Sequence, residues 1–166
     1  MIIQCFLEKV LEDLDLDKKN ISLEVESNSS KQLYAKVFED KIVWSESNFV
    51  DLYFIIFDYL EKNGLYLNHN IKTYYMVSKC CLAHEVGHLL DSKGKHYLNK
   101  RNQIAQRFNN NPKQSLIRKY QRLSLKLENR AWDIIEKEIE FYDVLEHKIF
   151  LLIKEFGLQS YSKAVC

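Results

Sequence analysis

Glycine and proline are scarce in this chain of 166 residues, which contains four glycines and one proline. This composition disfavours glycine- and turn-rich β-sandwiches and favours a domain built mainly of helices. Neither a GxGxxG nor a GxxxxGK[ST] sequence occurs, so the two common phosphate-binding loops are absent. No run of about 18 apolar residues occurs either, and we expect no membrane-spanning segment and no membrane partner.

The cysteines are few, irregularly placed and without a CxxC pair: Cys5, Cys80, Cys81 and Cys166. This pattern is typical of reduced thiols in a cytoplasmic protein rather than of a disulfide framework. Acidic residues interrupt the apolar N-terminal segment, so the sequence predicts no signal peptide. We therefore expect a cytoplasmic location.

The length and the apolar content of 46% predict a single folded domain over residues 1–166. Near the N-terminus the apolar spacing predicts a helix over residues 2–16 and a half-buried strand at Ile21–Val25. A hairpin follows, with strands at Leu33–Phe38 and Lys41–Trp44 around a turn at Glu39–Asp40. The expected fold class is α+β, mainly helical, with a small N-terminal sheet of about three strands.

Helical spacing dominates the rest of the chain. One helix is predicted through Phe49–Leu60, with Gly64 just past its end, and a second over Thr73–Asp91, stopped near Gly94. The later predictions are a short helix at Leu98–Phe108, a long helix after Pro112 that carries Leu116–Ile135, and a final helix from Asp143 to Gly157.

The sequence HEVGH at residues 84–88 is the strongest chemical signal in the chain. On a helix, His84 and His88 lie one turn apart and face the same way, so both imidazoles can bind one Zn²⁺ ion. Glu85 borders that site, where it can take a proton from a water molecule on the metal. Gly87 leaves a patch without a side chain, against which another element can pack closely. The alternative is a chance HExxH match on an ordinary surface helix.

A catalytic zinc usually has three protein ligands, so a third must come from elsewhere. The metzincin pattern fails, because Asp91 and Gly94 stand where it needs glycine and histidine. Glu128 lies on a mostly apolar stripe of a later helix, where a carboxylate is costly unless it is paired or bound to metal. We predict Glu128 as the third ligand, although it could also pair with a lysine or arginine. The other candidates are His96, Asp133 and Glu136.

HEVGH on one helix, followed by ENRAW at residues 128–132 on a later helix, resembles the small gluzincin metallopeptidases. The arrangement is similar to the compact bacterial ImmA/IrrE-like peptidases. This resemblance implies a minimal zincin fold, a Zn²⁺ cofactor, a protein or peptide substrate, and Glu85 as general base. Thermolysin-like gluzincins carry an aspartate four residues after the ligand glutamate, where it is the partner of a zinc-bound histidine. In this sequence that position is Trp132. Asp91 and Asp133 are therefore the candidates for this partner.

A peptidase also needs a group that stabilises the oxyanion. Four side chains near the motifs are candidates: His96, Tyr97, Tyr142 and His147.

Residues 92–127 form a basic insert between the two motifs, with ten lysines and arginines and no aspartate or glutamate. The insert therefore carries +10, which leaves −9 on the rest of a chain whose net charge is +1. Such a surface could attract an acidic protein or a nucleic acid. Alternatively, the insert folds over the acidic remainder of the chain, such as Glu136, Glu138, Glu140 and Asp143. The sequence thus predicts a zinc metallopeptidase, and the alternative function is an inactive zincin scaffold that binds protein or nucleic acid.

Overall fold

The computed structural model describes residues 8–9, 11–15, 21–26, 33–108 and 113–162. These residues are mainly helical, with one three-stranded sheet near the N-terminus. The predicted α+β class is therefore confirmed. Within the same residues, no helix is both long enough and apolar enough to cross a membrane.

Three strands form the sheet in the order β1-β3-β2: β1 (Ser22–Glu26), β2 (Leu33–Lys36) and β3 (Lys41–Ser45). β3 pairs in parallel with β1 and antiparallel with β2, so that Leu33 lies opposite Trp44. In the turn that joins β2 to β3, Asp40 has a φ of +48°, a conformation that aspartate adopts more readily than most residues. The predicted hairpin is confirmed, although its first strand ends before Phe38. β2 is an edge strand, so one of its sides is open to other groups.

The helices that follow are α1 (Glu46–Lys62), α2 (Ile71–Leu90), α3 (Gly94–Phe108), α4 (Gln114–Glu138) and α5 (Val144–Ser162). Residues 8–9 and 11–13 are also helical, and Leu11 and Leu14 are buried. The remainder of the helix predicted over residues 2–16 lies outside the described residues, as does Pro112.

Of the two helix ends predicted near glycines in the second half of the chain, one is confirmed and one is wrong. α2 ends at Leu90 with Asp91 as its C-cap, as predicted for a helix stopped near Gly94. Gly94 is also the first residue of α3, which begins four residues before the predicted Leu98, because the chain turns at once after Asp91. Gly157 lies inside α5, and the predicted end of the final helix there is wrong. A glycine costs a helix only about 1 kcal/mol relative to alanine, and the buried residues of α5, including Phe150, hold the helix together.

α2 is the central helix, and it packs against α4, α5 and β2. The Asn70 side chain caps its N-terminus by accepting a hydrogen bond of 2.9 Å from the Thr73 amide. On α2, Lys79 is fully buried and forms an ion pair of 3.0 Å with the buried Glu146 of α5. Because an unpaired charge would be costly at this depth, the pair fixes α5 against α2. The motif at the C-terminal end of α2 thus stands on a rigid support.

Candidate metal centre

Three side chains on two helices bring their ligand atoms together. His84 and His88 come from α2, and Glu128 comes from α4; each offers one ligand atom, and the three atoms lie within 4.8 Å of one another. Glu128 Oε2 is 3.0 Å from His84 Nε2 and 3.4 Å from His88 Nε2. The structure therefore places the predicted third ligand beside the two motif histidines.

The spacing of these atoms fits a zinc ion. In a tetrahedral site, bonds of about 2.0–2.2 Å from zinc to nitrogen and oxygen place neighbouring ligand atoms about 3.3–3.6 Å apart. Of the two distances from Glu128, 3.4 Å lies within this range and 3.0 Å lies just below it. Two imidazoles and one carboxylate also form the donor set of a catalytic zinc with one open position. A hydrogen bond between histidine and glutamate has the same length, so metal content is the deciding measurement.

The other candidate ligands lie elsewhere. Asp133 and Glu136 both bind Lys154 Nζ, at 3.0 and 2.7 Å, and His96 is exposed beside the ring of Tyr97. None of them belongs to the group formed with the motif histidines. Among the described residues, Glu128 is therefore the side chain that completes this group.

Close packing of α2 against α4 brings Glu128 to the histidines. A Cβ atom added to Gly87 would lie 2.2 Å from the carbonyl oxygen of Ala131, and both residues are buried. The two helices can approach this closely only where α2 has no side chain, as the sequence predicts for Gly87. Glu128 lies about one turn before Ala131 on α4, so this contact sets its distance from the histidines.

Glu85 is anchored to the sheet. Its Oε2 atom accepts a hydrogen bond of 2.8 Å from the backbone amide of Ala35 in β2. The second carboxylate oxygen makes no hydrogen bond among the described residues. Burial raises the pKa of Glu85, and the charge of Glu128 adds to this effect against the two histidines. A carboxylate whose pKa moves toward neutrality is a better proton acceptor for a general base that must also release the proton.

The neighbouring charges in this cluster favour the ionised form of the carboxylate, which is the form that binds metal. They also favour the protonated form of one histidine, which does not bind metal. Burial opposes ionisation of Glu128, but hydrogen bonds with His84 and His88 outweigh it and lower the pKa of Glu128 well below its usual range. Burial also opposes protonation of His88, yet the hydrogen bond with Glu128 and the charge of Glu85 leave its pKa raised. Metal and proton therefore compete for the same imidazole.

A tryptophan, rather than a carboxylate, orients His84. The Trp132 ring stacks on the His84 ring with centroids 4.1 Å apart and an angle of 19°. His84 Nδ1 is buried without a hydrogen-bond partner in the described part of the chain. Neither predicted partner reaches it: Asp91 binds Arg130 at 2.7 and 2.5 Å, and Asp133 binds Lys154. Stacking on Trp132 thus positions the His84 ring where a metal-binding histidine would usually be oriented by a second hydrogen bond.

The motif residues line a cleft of about 520 Å³ between the β2 edge and helices α2–α5. None of the predicted oxyanion-stabilising residues lines it; Tyr142, for example, is exposed and donates a hydrogen bond to Asp13. Two residues that the sequence did not indicate do line it, Tyr161 and Arg101. Burial, the charge of Glu128 and a hydrogen bond to Glu128 raise the pKa of Tyr161 to about 12, so its hydroxyl keeps its proton at neutral pH.

The basic insert forms α3 and the first half of α4, which pack against each other. Nine of its ten basic residues are exposed, all ten being described. Among the described residues, one of the ten forms an ion pair, Lys95 with Asp40 at 3.7 Å. This pair joins the insert to the acidic remainder of the chain, and no ion pair joins it to Glu136, Glu140 or Asp143 within the described part of the chain.

Comparison with known protein families, with curated proteins and with solved structures finds no match for this chain. The chemistry of the cleft must therefore be inferred from its own residues.

Proposed function

We propose that this protein is a zinc-dependent peptidase of the gluzincin type. The observation that carries the proposal is the convergence of His84, His88 and Glu128 in a cleft that also holds the Glu85 carboxylate. Three zinc ligands with an adjacent carboxylate are the minimal set for hydrolysis by a metal-activated water. A purely structural zinc site would need a fourth protein ligand, and none joins the three among the described residues.

The role of each residue follows from its position. His84, His88 and Glu128 would hold the zinc, which when bound supplies a Lewis acid that polarises a carbonyl and acidifies water. Glu85 accepts the proton of the attacking water and passes it to the leaving amine. The Ala35 amide fixes one oxygen of Glu85, which leaves the other oxygen for this transfer.

Tyr161 is the residue that we propose to stabilise the oxyanion. Its hydroxyl group remains protonated at neutral pH because burial, the charge of Glu128 and a hydrogen bond to Glu128 raise its pKa. To serve the oxyanion, the hydroxyl would exchange the hydrogen bond to Glu128 for one to the substrate. A neutral donor in a cleft from which water is partly excluded stabilises developing negative charge more strongly than it would in water. Loss of one such donor typically lowers kcat by about 100- to 1000-fold, which is the effect expected for Tyr161→Phe.

The decisive variant is Glu85→Gln, because glutamine keeps the acceptor oxygen for the Ala35 amide but cannot act as a base. We expect the zinc-loaded wild type to cleave peptides in a random peptide pool, read by mass spectrometry. Glu85→Gln should bind zinc as the wild type does and lose cleavage by several orders of magnitude. Glu136→Gln is the matched control, since Glu136 lies away from the cleft beside Lys154. Cleavage by Glu85→Gln at the wild-type rate would show that the proposed mechanism is wrong.

A second candidate function is a binding module that keeps the cleft but does no chemistry. The exposed basic insert favours it, since eight of its nine exposed cations form no ion pair among the described residues and would attract an acidic protein or a nucleic acid. In that case Glu85→Gln should leave partner binding unchanged, and the affinity should fall steeply as salt concentration rises.

A further inference from the structure

Arg101 differs from every other basic residue of the insert. It is half-buried, whereas the other nine are exposed. It comes from α3 and lines the same cleft as His88, Glu128 and Tyr161.

The guanidinium group of Arg101 has no hydrogen-bond or ion-pair partner among the described residues. Its Nε atom is buried and makes no hydrogen bond there, and it forms no ion pair. The two carboxylates of the cleft have other contacts: Glu128 with the histidines, and Glu85 with the Ala35 amide. Burial of the Nε donor without an acceptor is costly, and a carboxylate that bound the rest of the guanidinium group from the cleft would offset part of this cost.

Packing holds Arg101 in this position. The ring of Tyr120, on α4, lies 5.8 Å from its guanidinium carbon, within the range of a cation–π contact. A cation–π contact stabilises the charge of the guanidinium group without supplying an acceptor oxygen for its N–H donors. A planar guanidinium presents those donors in a fork that matches the two oxygens of a carboxylate.

We propose that Arg101 binds a carboxylate of the peptide substrate, so that the cleft selects peptides with a negative charge near the scissile bond. This inference rests on the proposed peptidase function for the nature of the ligand. The carboxylate can belong to an aspartate or glutamate side chain or to a free C-terminus, since the same fork recognises both. The exposed cations of the insert would concentrate such chains near the cleft.

Three N-acetylated random peptide pools distinguish these sources. The first has one glutamate and an amidated C-terminus, the second has glutamine instead with the same amide, and the third has glutamine with a free C-terminal carboxylate. Cleavage by the zinc-loaded protein and retention on the immobilised metal-free protein are both read by mass spectrometry. We expect one of the two carboxylate pools to be preferred over the neutral pool by about 10- to 100-fold, and the preferred pool identifies the source.

Arg101→Gln should abolish that preference, and Arg101→Lys, which keeps the charge but not the fork, should reduce it. Lys100→Gln is the matched control, because Lys100 is the exposed neighbour on the same helix. If Arg101→Gln unfolds, Arg101→Lys still tests the proposal. The inference is overturned if the wild type and the Arg101 variants show the same preference. It is also overturned if all three pools are cleaved equally and retained equally. Retention that depends on Arg101 without cleavage of any pool would instead overturn the peptidase proposal alone.

Discussion

Substituting Gly87 by alanine tests how the two motifs are brought together. In an ordinary helix this change should stabilise the protein by about 1 kcal/mol, since alanine has the better helix propensity. Here the new Cβ would lie 2.2 Å from the Ala131 carbonyl oxygen and 2.8 Å from its carbonyl carbon. A carbon–oxygen contact normally needs about 3.3 Å, so α2 and α4 must separate by about 1 Å. We therefore expect a net loss of about 1–3 kcal/mol in unfolding free energy, as for other overpacked cores.

The same separation should weaken the metal site. Metal–ligand distances tolerate only about ±0.2 Å, and α4 carries Glu128 one turn before the contact with Gly87. Moving the helix away therefore pulls the carboxylate from the two histidines. We expect zinc affinity to fall at least about tenfold in Gly87→Ala, comparable to the loss of a residue that orients a ligand.

Urea unfolding of the metal-free protein measures the packing effect, and zinc titration measures the effect on the site. Gly157→Ala is the matched control: it is also a helical glycine near the cleft, but its added Cβ would meet Trp132 at an ordinary 3.5 Å. That variant should be as stable as the wild type or up to about 1 kcal/mol more stable. If metal-free Gly87→Ala is also as stable as the wild type, the close helix contact does not exist and the reasoning fails.

Two further predictions concern the carboxylates of the site and its surroundings. Glu128→Ala should lower zinc affinity far more than Asp133→Ala, measured by zinc titration, because only Glu128 lies beside the histidines; equal effects would count against it as a ligand. Burial opposes ionisation of Asp91, but the hydrogen bonds with Arg130 outweigh burial and lower the pKa of Asp91. The stabilising effect of the ionised Asp91 is therefore fully present above the unfolded pKa of about 3.9, and it is lost as pH falls through the lower pKa of the folded state. At pH 7, Asp91→Asn should therefore be less stable than the wild type by about 1–3 kcal/mol in unfolding free energy, measured by urea unfolding. This difference should become smaller near pH 3. A difference that is the same at both pH values would contradict the link between the pKa of Asp91 and stability.

Much of the site could be predicted because its signals are local. The His84–His88 spacing on one helix, the apolar stripe around Glu128 and the lone glycine in the motif each have a short-range physical cause. A buried carboxylate needs a partner, and a glycine inside a helix needs a compensating contact. The structure supplies both, with Glu128 beside the histidines and Gly87 against Ala131.

The residues that were missed depend on tertiary packing. Tyr161 lies after Gly157, where the sequence predicted the end of the final helix, and only the continued α5 brings it to the cleft. Sequence pattern alone does not separate a glycine that ends a helix from one that lies inside it. In the sequence, Arg101 is one of ten basic residues of the insert, and only the packing of α3 on α4 shows which of them faces the cleft. Likewise, no local signal indicated that Trp132 would stack on His84.

The most direct test of the zinc assignment is a crystal structure of the zinc-loaded protein with anomalous data at the zinc edge. We predict one anomalous peak per chain, within about 2.0–2.2 Å of His84 Nε2, His88 Nε2 and a Glu128 carboxylate oxygen. No protein atom should occupy the fourth position. A peak bound by other residues, a fourth protein ligand at the zinc, or no peak at this site after zinc loading would contradict the account.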